Sequence, residues 1–206
     1  MALKLLMGID VGTQSTRVAL LDLEGHVVAS ASTPQEMQTP RPGWAEQDPQ
    51  IWWENTVTNI RRVLAQPGIS PQAILGIGVG GQMHGTVPID SKGELLSHGV
   101  QMWCDKRSAE LVDQFKAQPG TEKAYRIAGS PPVPNWFGFK IKWIQVFQPE
   151  IYQKTWKFIL PKDYINFKLT GAVATDHSEA SGSFLMDAKT EDWSDELIRL
   201  MGIDRE

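Results

Sequence analysis

One cysteine, Cys104, stands among 206 residues, so no disulfide can form within the chain. That cysteine usage suits a reducing compartment. Positive charge is scarce as well: 20 Lys and Arg against 24 Asp and Glu leave a net charge of −4, with the two signs interspersed. The basic stripe that a nucleic acid or an anionic membrane surface requires is therefore missing. No apolar run approaches the roughly 20 residues of a membrane-spanning helix. The N-terminus has neither the basic start nor the small-residue cleavage site of a secretory signal peptide, and the expected location is cytoplasmic. The four histidines lack metal-ligand spacing, so no zinc site is expected. Internal repeats and low-complexity linkers are also absent.

What is present is an ordinary apolar fraction, 41%, enough for a full core in one sizeable domain or two small ones. The most informative stretch is Gly8-Ile9-Asp10-Val11-Gly12-Thr13-Gln14-Ser15-Thr16-Arg17, set between two apolar runs. It reads as a hairpin whose turn is rich in Gly, Thr and Ser, with one carboxylate at its mouth. Such a turn can aim N–H groups and hydroxyls at a phosphate. The carboxylate can hold the magnesium ion that travels with a nucleotide. No Gly-Lys-Ser/Thr follows, so this is not a P-loop. Asp and Gly also serve turn geometry alone, and the turn by itself leaves both readings open.

Strands are expected at about Lys4–Asp10, Arg17–Asp22 and Val27–Ser32, forming a meander. After a Pro-rich segment, Asp48 as N-cap and Pro49 at the first position open a helix. Trp53, Val57, Ile60 and Leu64 recur at helical spacing and predict its buried face. Ala73 to Val79 predicts a buried parallel strand beside the meander. Val87–Asp90 and Glu94–Leu96 suggest a hairpin. Beyond Trp103 the pattern is helical, with faces marked by Leu111, Val112 and Phe115, and by Phe139, Trp143, Val146 and Phe147. A further helix runs from Pro161 to Gly171, and the last follows Ser194. Strands first, then alternation, then helices indicate an α/β fold. The stop at Glu206 suggests a chain cut short, with a short natural protein as the rival reading.

Gly76-Ile77-Gly78-Val79-Gly80-Gly81 matches Gly-x-Gly-x-x-Gly, but no helical period follows and Pro88 comes early. A dinucleotide site needs its last glycine to open a helix facing the pyrophosphate. These glycines instead suit a strand end that approaches a ligand or another backbone closely.

Several segments combine with the Asp10 hairpin. They are Trp44-Ala45-Glu46-Gln47-Asp48-Pro49 with Trp52-Trp53, Gly81-Gln82-Met83-His84-Gly85, and Trp103-Cys104-Asp105-Lys106-Arg107. Leu160-Pro161-Lys162-Asp163-Tyr164 and Thr175-Asp176-His177-Ser178-Glu179-Ala180-Ser181-Gly182 follow. In this order and spacing the chain resembles the N-terminal domain of the FGGY carbohydrate kinases over essentially its whole length. The Gln-Met-His-Gly segment is most like the xylulose kinases among them.

The resemblance implies a ribonuclease-H-like fold of the actin/hexokinase type, with a mixed sheet, an antiparallel meander and flanking helices. It implies phosphorylation of a sugar, a ketopentose such as xylulose, by ATP and Mg2+ in a cleft between two domains. Asp10 would be the catalytic, metal-associated carboxylate. Gly12, Thr13, Gln14 and Arg17 would contact the phosphate. Met83, His84, Trp103 and Asp105 would contact the sugar. A tryptophan plane suits the ring face, and a carboxylate or imidazole suits the hydroxyl rim.

On residue type alone, a lone His after a buried strand is more often structural, and Trp103 reads equally well as core. Trp52, Trp53 and Trp143 read as packing, and Cys104 as a small buried residue. Asp163 reads as serving its helix terminus, and Asp176 and Glu179 as caps of a short helical turn.

The sequence departs from the family in three places. Cys104 replaces the usual Asn of Trp-Asn-Asp, which puts the hydroxyl pattern of the sugar in doubt. Phe137 stands where a small residue precedes the Lys140-x-x-Trp143 core, and is expected to narrow or reshape the pocket wall. The family's catalytic aspartate, in a downstream Gly-Asp segment, has no counterpart, because Gly202-Ile203-Asp204 comes too early. Loss of a general base costs about 10²–10⁴ in rate. This chain by itself, without a C-terminal nucleotide-binding domain as partner, is therefore expected to lack turnover. The rival class is a non-catalytic sugar-binding or regulatory module. An actin-like ATPase acting on proteins is a third reading, and a homodimer stays open.

Overall fold

The structure is a computed structural model that describes residues 4–204; the expected cut at Glu206 lies outside them. Its elements are β1 (Leu5–Val11), β2 (Ser15–Leu21), β3 (Val27–Pro34), β4 (Glu46–Gln47), α1 (Pro49–Leu64), β5 (Ile74–Gly81), β6 (Val87–Ile89) and β7 (Val100–Gln101). They continue with α2 (Ala109–Lys116), α3 (Thr121–Ala128), α4 (Phe137–Phe147), α5 (Pro149–Lys154), β8 (Lys157–Ile159) and α6 (Pro161–Thr170). The last are α7 (His177–Ser181), β9 (Met186–Asp187), β10 (Asp192–Trp193) and α8 (Asp195–Met201).

The main sheet has the order β3-β2-β1-β5. β1 and β2 pair antiparallel, as do β2 and β3, while β5 runs parallel to β1. This is the expected α/β arrangement of a meander extended by one parallel strand, but β5 is not buried as expected: as the edge of the described sheet, all its residues are exposed or half-buried. Period-2 alternation decides which side of β1 is inside: Leu5, Met7, Ile9 and Val11 are buried, joined by Val18 and Leu20 from β2. Each such side chain contributes about 1.5–3 kcal/mol when fully buried. Helices α1 and α6 pack on the sheet and on each other. The opposite side of β1 carries Leu6, Gly8 and Asp10, none of them buried.

Asp48 caps α1 by accepting a hydrogen bond from the Gln50 N–H at 2.8 Å. The buried stripe of this helix, however, is Trp52, Thr56, Asn59 and Val63. The predicted stripe of Trp53, Val57, Ile60 and Leu64 is only half-buried. Two polar residues take the inner positions because each is satisfied there. Thr56 donates to the Trp52 carbonyl at 2.7 Å, and Asn59 donates to the Thr16 carbonyl at 2.9 Å.

A second difference concerns residues 87–96. The turn at Asp90–Glu94 forms, but β6 pairs with β8, and the expected return strand is reduced to a bridge of Leu95 to Ile89 with Leu96 N–H donating to the Pro88 carbonyl at 3.1 Å. A second core gathers Val112, Phe115, Phe137, Phe139, Phe184, Leu197 and Met201 beneath the C-terminal helices. Among the described residues no helix is long and apolar enough to cross a membrane.

Candidate active site

The β1–β2 register fixes the hairpin. Asp10 lies opposite Arg17 on one side and beside Gly80 of β5 on the other. Asp10 is exposed, and no hydrogen bond or ion pair of the described residues engages its carboxylate. A Cβ added at Gly80 would meet nothing within 4 Å, so the space beside the carboxylate stays open. The turn closes with Gly12 N–H donating to the Ser15 carbonyl at 3.0 Å. A Cβ at Gly12 would stand 3.1 Å from that carbonyl oxygen, a tight contact that glycine avoids.

Two buried glutamines hold the turn from beneath. Gln35 Nε2 donates to the Gly12 carbonyl at 2.5 Å, and Gln47 Nε2 donates to the Thr13 carbonyl at 2.7 Å. In a planar trans peptide the N–H points opposite to the carbonyl that shares its plane. The Thr13 and Gln14 N–H groups therefore turn away from the glutamines. Two outward N–H groups beside a free carboxylate fit a phosphate with its metal ion.

The parallel strands β1 and β5 end together, Val11 beside Gly81, and Gln82 N–H continues the ladder to the Val11 carbonyl at 2.8 Å. Neighbouring strands lie about 4.8 Å apart, so the segment after β5 leaves directly beside the β1–β2 turn. Met83 is 53% exposed. His84 is buried with a left-handed backbone, φ 59°. Its ring stands edge-on to Trp136, with centroids 5.0 Å apart. Its Nδ1 is buried with no hydrogen-bond partner among the described residues. Burial, aided by the Lys140 charge, lowers its pKa to about 4, so the imidazole is neutral near pH 7.

Trp103 reaches across to the turn. Its Nε1–H donates to Thr13 Oγ1 at 3.1 Å, and Asn135 holds its carbonyl at 2.8 Å. Trp103 is 41% exposed. Asp10, Gly12, Thr13, Gln14, Arg17, Met83, His84 and Trp103 thus gather at one end of the sheet.

Asp105 does not join them. It is 1% exposed, and its oxygens are occupied by the Arg107 guanidinium at 2.6–3.0 Å and by the Ala45 N–H at 2.7 Å. Arg107 also pairs with Glu46 at 2.7 Å and lies over the Trp44 ring, 3.6 Å from its centroid. A carboxylate so engaged shapes the Trp103 loop rather than offering oxygen to a ligand. Phe137 likewise faces the second core, 4% exposed, and does not narrow the opening. Cys104 is half-buried, its sulfur 3.7 Å from that of Met37. Asp176 caps α7 as expected, and Asp163 bonds Lys162.

Sequence reasoning missed Gln47 as an individual residue. Its Oε1 accepts from Trp52 Nε1–H at 2.9 Å and from Gln82 Nε2 at 3.0 Å while its amide nitrogen holds the turn. An indole N–H only donates and a carbonyl only accepts, so the amide orientation is fixed. The available signal was a Gln between two segments already singled out. A cavity of about 780 Å³ lies elsewhere, lined by Tyr152, Phe158, Trp193 and Ile198.

The model of the FGGY family of carbohydrate kinases, N-terminal domain, matches residues 5–206. The chain belongs to the FGGY family of carbohydrate kinases. A xylulose kinase of Staphylococcus xylosus is 33% identical over 198 residues, covering 96% of this chain and 40% of that protein. The crystal structure of a gluconate kinase from Lactobacillus acidophilus superposes with a TM-score of 0.90 at 31% identity, covering 99% of this chain and 41% of that one. A glycerol kinase of Plasmodium falciparum, determined with ADP, superposes with a TM-score of 0.85 at 27% identity, covering 97% and 41%. These FGGY neighbours share the ribonuclease-H-like fold of the actin/hexokinase-type ATPases. The chain spans about 40% of the length of the curated relatives it matches.

Proposed function

We propose that the protein carrying this chain transfers phosphate from MgATP to a sugar hydroxyl in the cytoplasm, with a ketopentose such as xylulose as acceptor. The observation that carries the reading is the hydrogen bond from the Trp103 indole to Thr13, which ties the proposed sugar loop to the proposed phosphate turn. The xylulose kinase relative supports the acceptor, and the ADP-bound glycerol kinase neighbour supports the nucleotide.

MgATP would supply the phosphoryl group, with its metal ion screening the charge. This chain's part is positioning and charge stabilisation, the main components of phosphoryl transfer. Asp10 holds the ion. The Thr13 and Gln14 N–H groups, with Gly12 giving close approach, receive phosphate oxygens. Arg17, opposite Asp10 in the ladder, offsets their charge. Trp103 lies against a sugar face, while neutral His84 and Met83 line its rim. Asp105 acts at one remove, through Arg107 and the Trp103 loop. The general base and the other half of the nucleotide site belong, in this reading, to a further domain.

A coupled ADP-release assay on the enzyme containing this chain tests the reading, with D-xylulose, gluconate and glycerol compared. D-xylulose should give the highest kcat/KM, and Asp10→Asn should lower kcat by about 10²–10³. Sugar-independent ADP release, or indifference to Asp10→Asn, would contradict it. The 206-residue chain alone should show no turnover. Robust turnover there would refute the assignment of the base to another domain.

A further inference from the structure

Lys140, in α4, is fully buried, with 0% exposure. Its ammonium donates to the His84 carbonyl at 2.7 Å and to the Met102 carbonyl at 2.6 Å. No carboxylate of the described residues lies in contact with it, since Asp105 is held by Arg107. A buried cation without a paired anion is costly, and a Met or Leu would fill the same slot at lower cost. The cost shows in its acidity: burial pushes the Lys140 pKa down to about 7, against the opposing pull of Asp105 and Cys104. Such a group is hard to explain as core filling.

The two carbonyls explain it. One belongs to His84 itself, and the other to the residue immediately before Trp103. The two segments share one further backbone bond nearby, from Thr86 N–H to the Gln101 carbonyl at 3.2 Å. Among the described residues no other bond joins His84 itself to the Trp103 turn.

We propose that Lys140 is the positioning residue that sets the spacing between the His84 and Trp103 loops, through one ammonium bonded to a carbonyl of each. The ligand consequence rests on the sugar reading above, whereas the bridging itself does not. Lys140 touches no substrate. It holds the imidazole and the indole at the separation one sugar ring requires, and a displacement of about 1 Å there can cost about 100-fold.

Two variants test this. Lys140→Met keeps the length and removes every donor; Lys140→Gln keeps a donor on a shorter stem. Amide hydrogen exchange on the 206-residue chain should show residues 82–86 and 102–106 losing protection together in Lys140→Met. The loss should be smaller in Lys140→Gln, and β1–β3 and α1 should keep theirs. D-xylulose affinity, read by tryptophan fluorescence, should fall about 10- to 100-fold in Lys140→Met. Unchanged protection, a change in one loop only, or a uniform loss across the chain would overturn the proposal. So would failure of both variants to fold, because Lys140 would then serve the core as a whole. If the unmodified chain takes up no D-xylulose, the sugar reading fails separately, and the exchange result still decides the bridge.

Discussion

Gly182 has no side chain because the His84 ring stands where its Cβ would be, 2.5 Å from Cε1 and 3.1 Å from Nδ1. Gly182→Ala should push the imidazole aside and weaken D-xylulose binding by about 10-fold or more, with far-ultraviolet dichroism unchanged. Titration calorimetry on the variant checks this. The same ring makes stability depend on pH. Its pKa in the fold, about 4, lies below the ordinary 6.5, so between those values the unfolded chain binds a proton that the folded chain does not. Stability is full above about pH 6.5 and falls as pH drops toward 4. In His84→Gln the difference between urea midpoints at about pH 7 and pH 5 should shrink accordingly. The types of His84 and Trp103 were legible in the sequence, but their partners were not. Asp105 shows why: it follows Trp103 closely in the chain, yet Arg107, two residues on, takes its oxygens inside. Proximity in sequence says nothing about which way a carboxylate turns.

Among the elements, the long and strongly patterned ones were readable. β1, β2 and β3 alternate, α1 carries its Asp-Pro opening, and α6 ends at Gly171 in the left-handed conformation. The unread ones are short. β4 and β7 are two residues each and exist through pairing with one another, which no local pattern encodes. The inner stripe of α1 was misplaced because Thr56 and Asn59 look like surface residues until their backbone partners are known. Gln47 belongs to this scale, since it ties the β1–β2 turn, β4, α1 and the segment after β5 through one amide. Gln47→Leu leaves the Thr13 carbonyl, the Trp52 indole N–H and the Gln82 amide N–H without partners. Each buried orphan costs about 1–3 kcal/mol, so unfolding free energy should fall by about 3 kcal/mol or more in urea titrations.

At the scale of the molecule, the sheet has a free side. β5 is an edge strand of the described sheet, with Leu75 58% and Ile77 51% exposed. An unpaired apolar edge favours association between copies. Ile77→Lys should shift the isolated chain toward monomer in size-exclusion chromatography at raised concentration, leaving its thermal midpoint nearly unchanged. The α/β class and the family were legible from motif order along the whole chain. The gathering of those motifs at one end of the sheet required the parallel β1–β5 register, a long-range pairing that sequence spacing does not state. The central claim is that phosphate turn and sugar loop share one opening, with Trp103 between them. Its most direct measurement is D-xylulose titration of the chain followed by tryptophan fluorescence, with Trp103→Phe beside it. A saturable change that disappears in Trp103→Phe is the expected result. No saturable change in the unmodified chain, or an equal one in Trp103→Phe, would contradict the account.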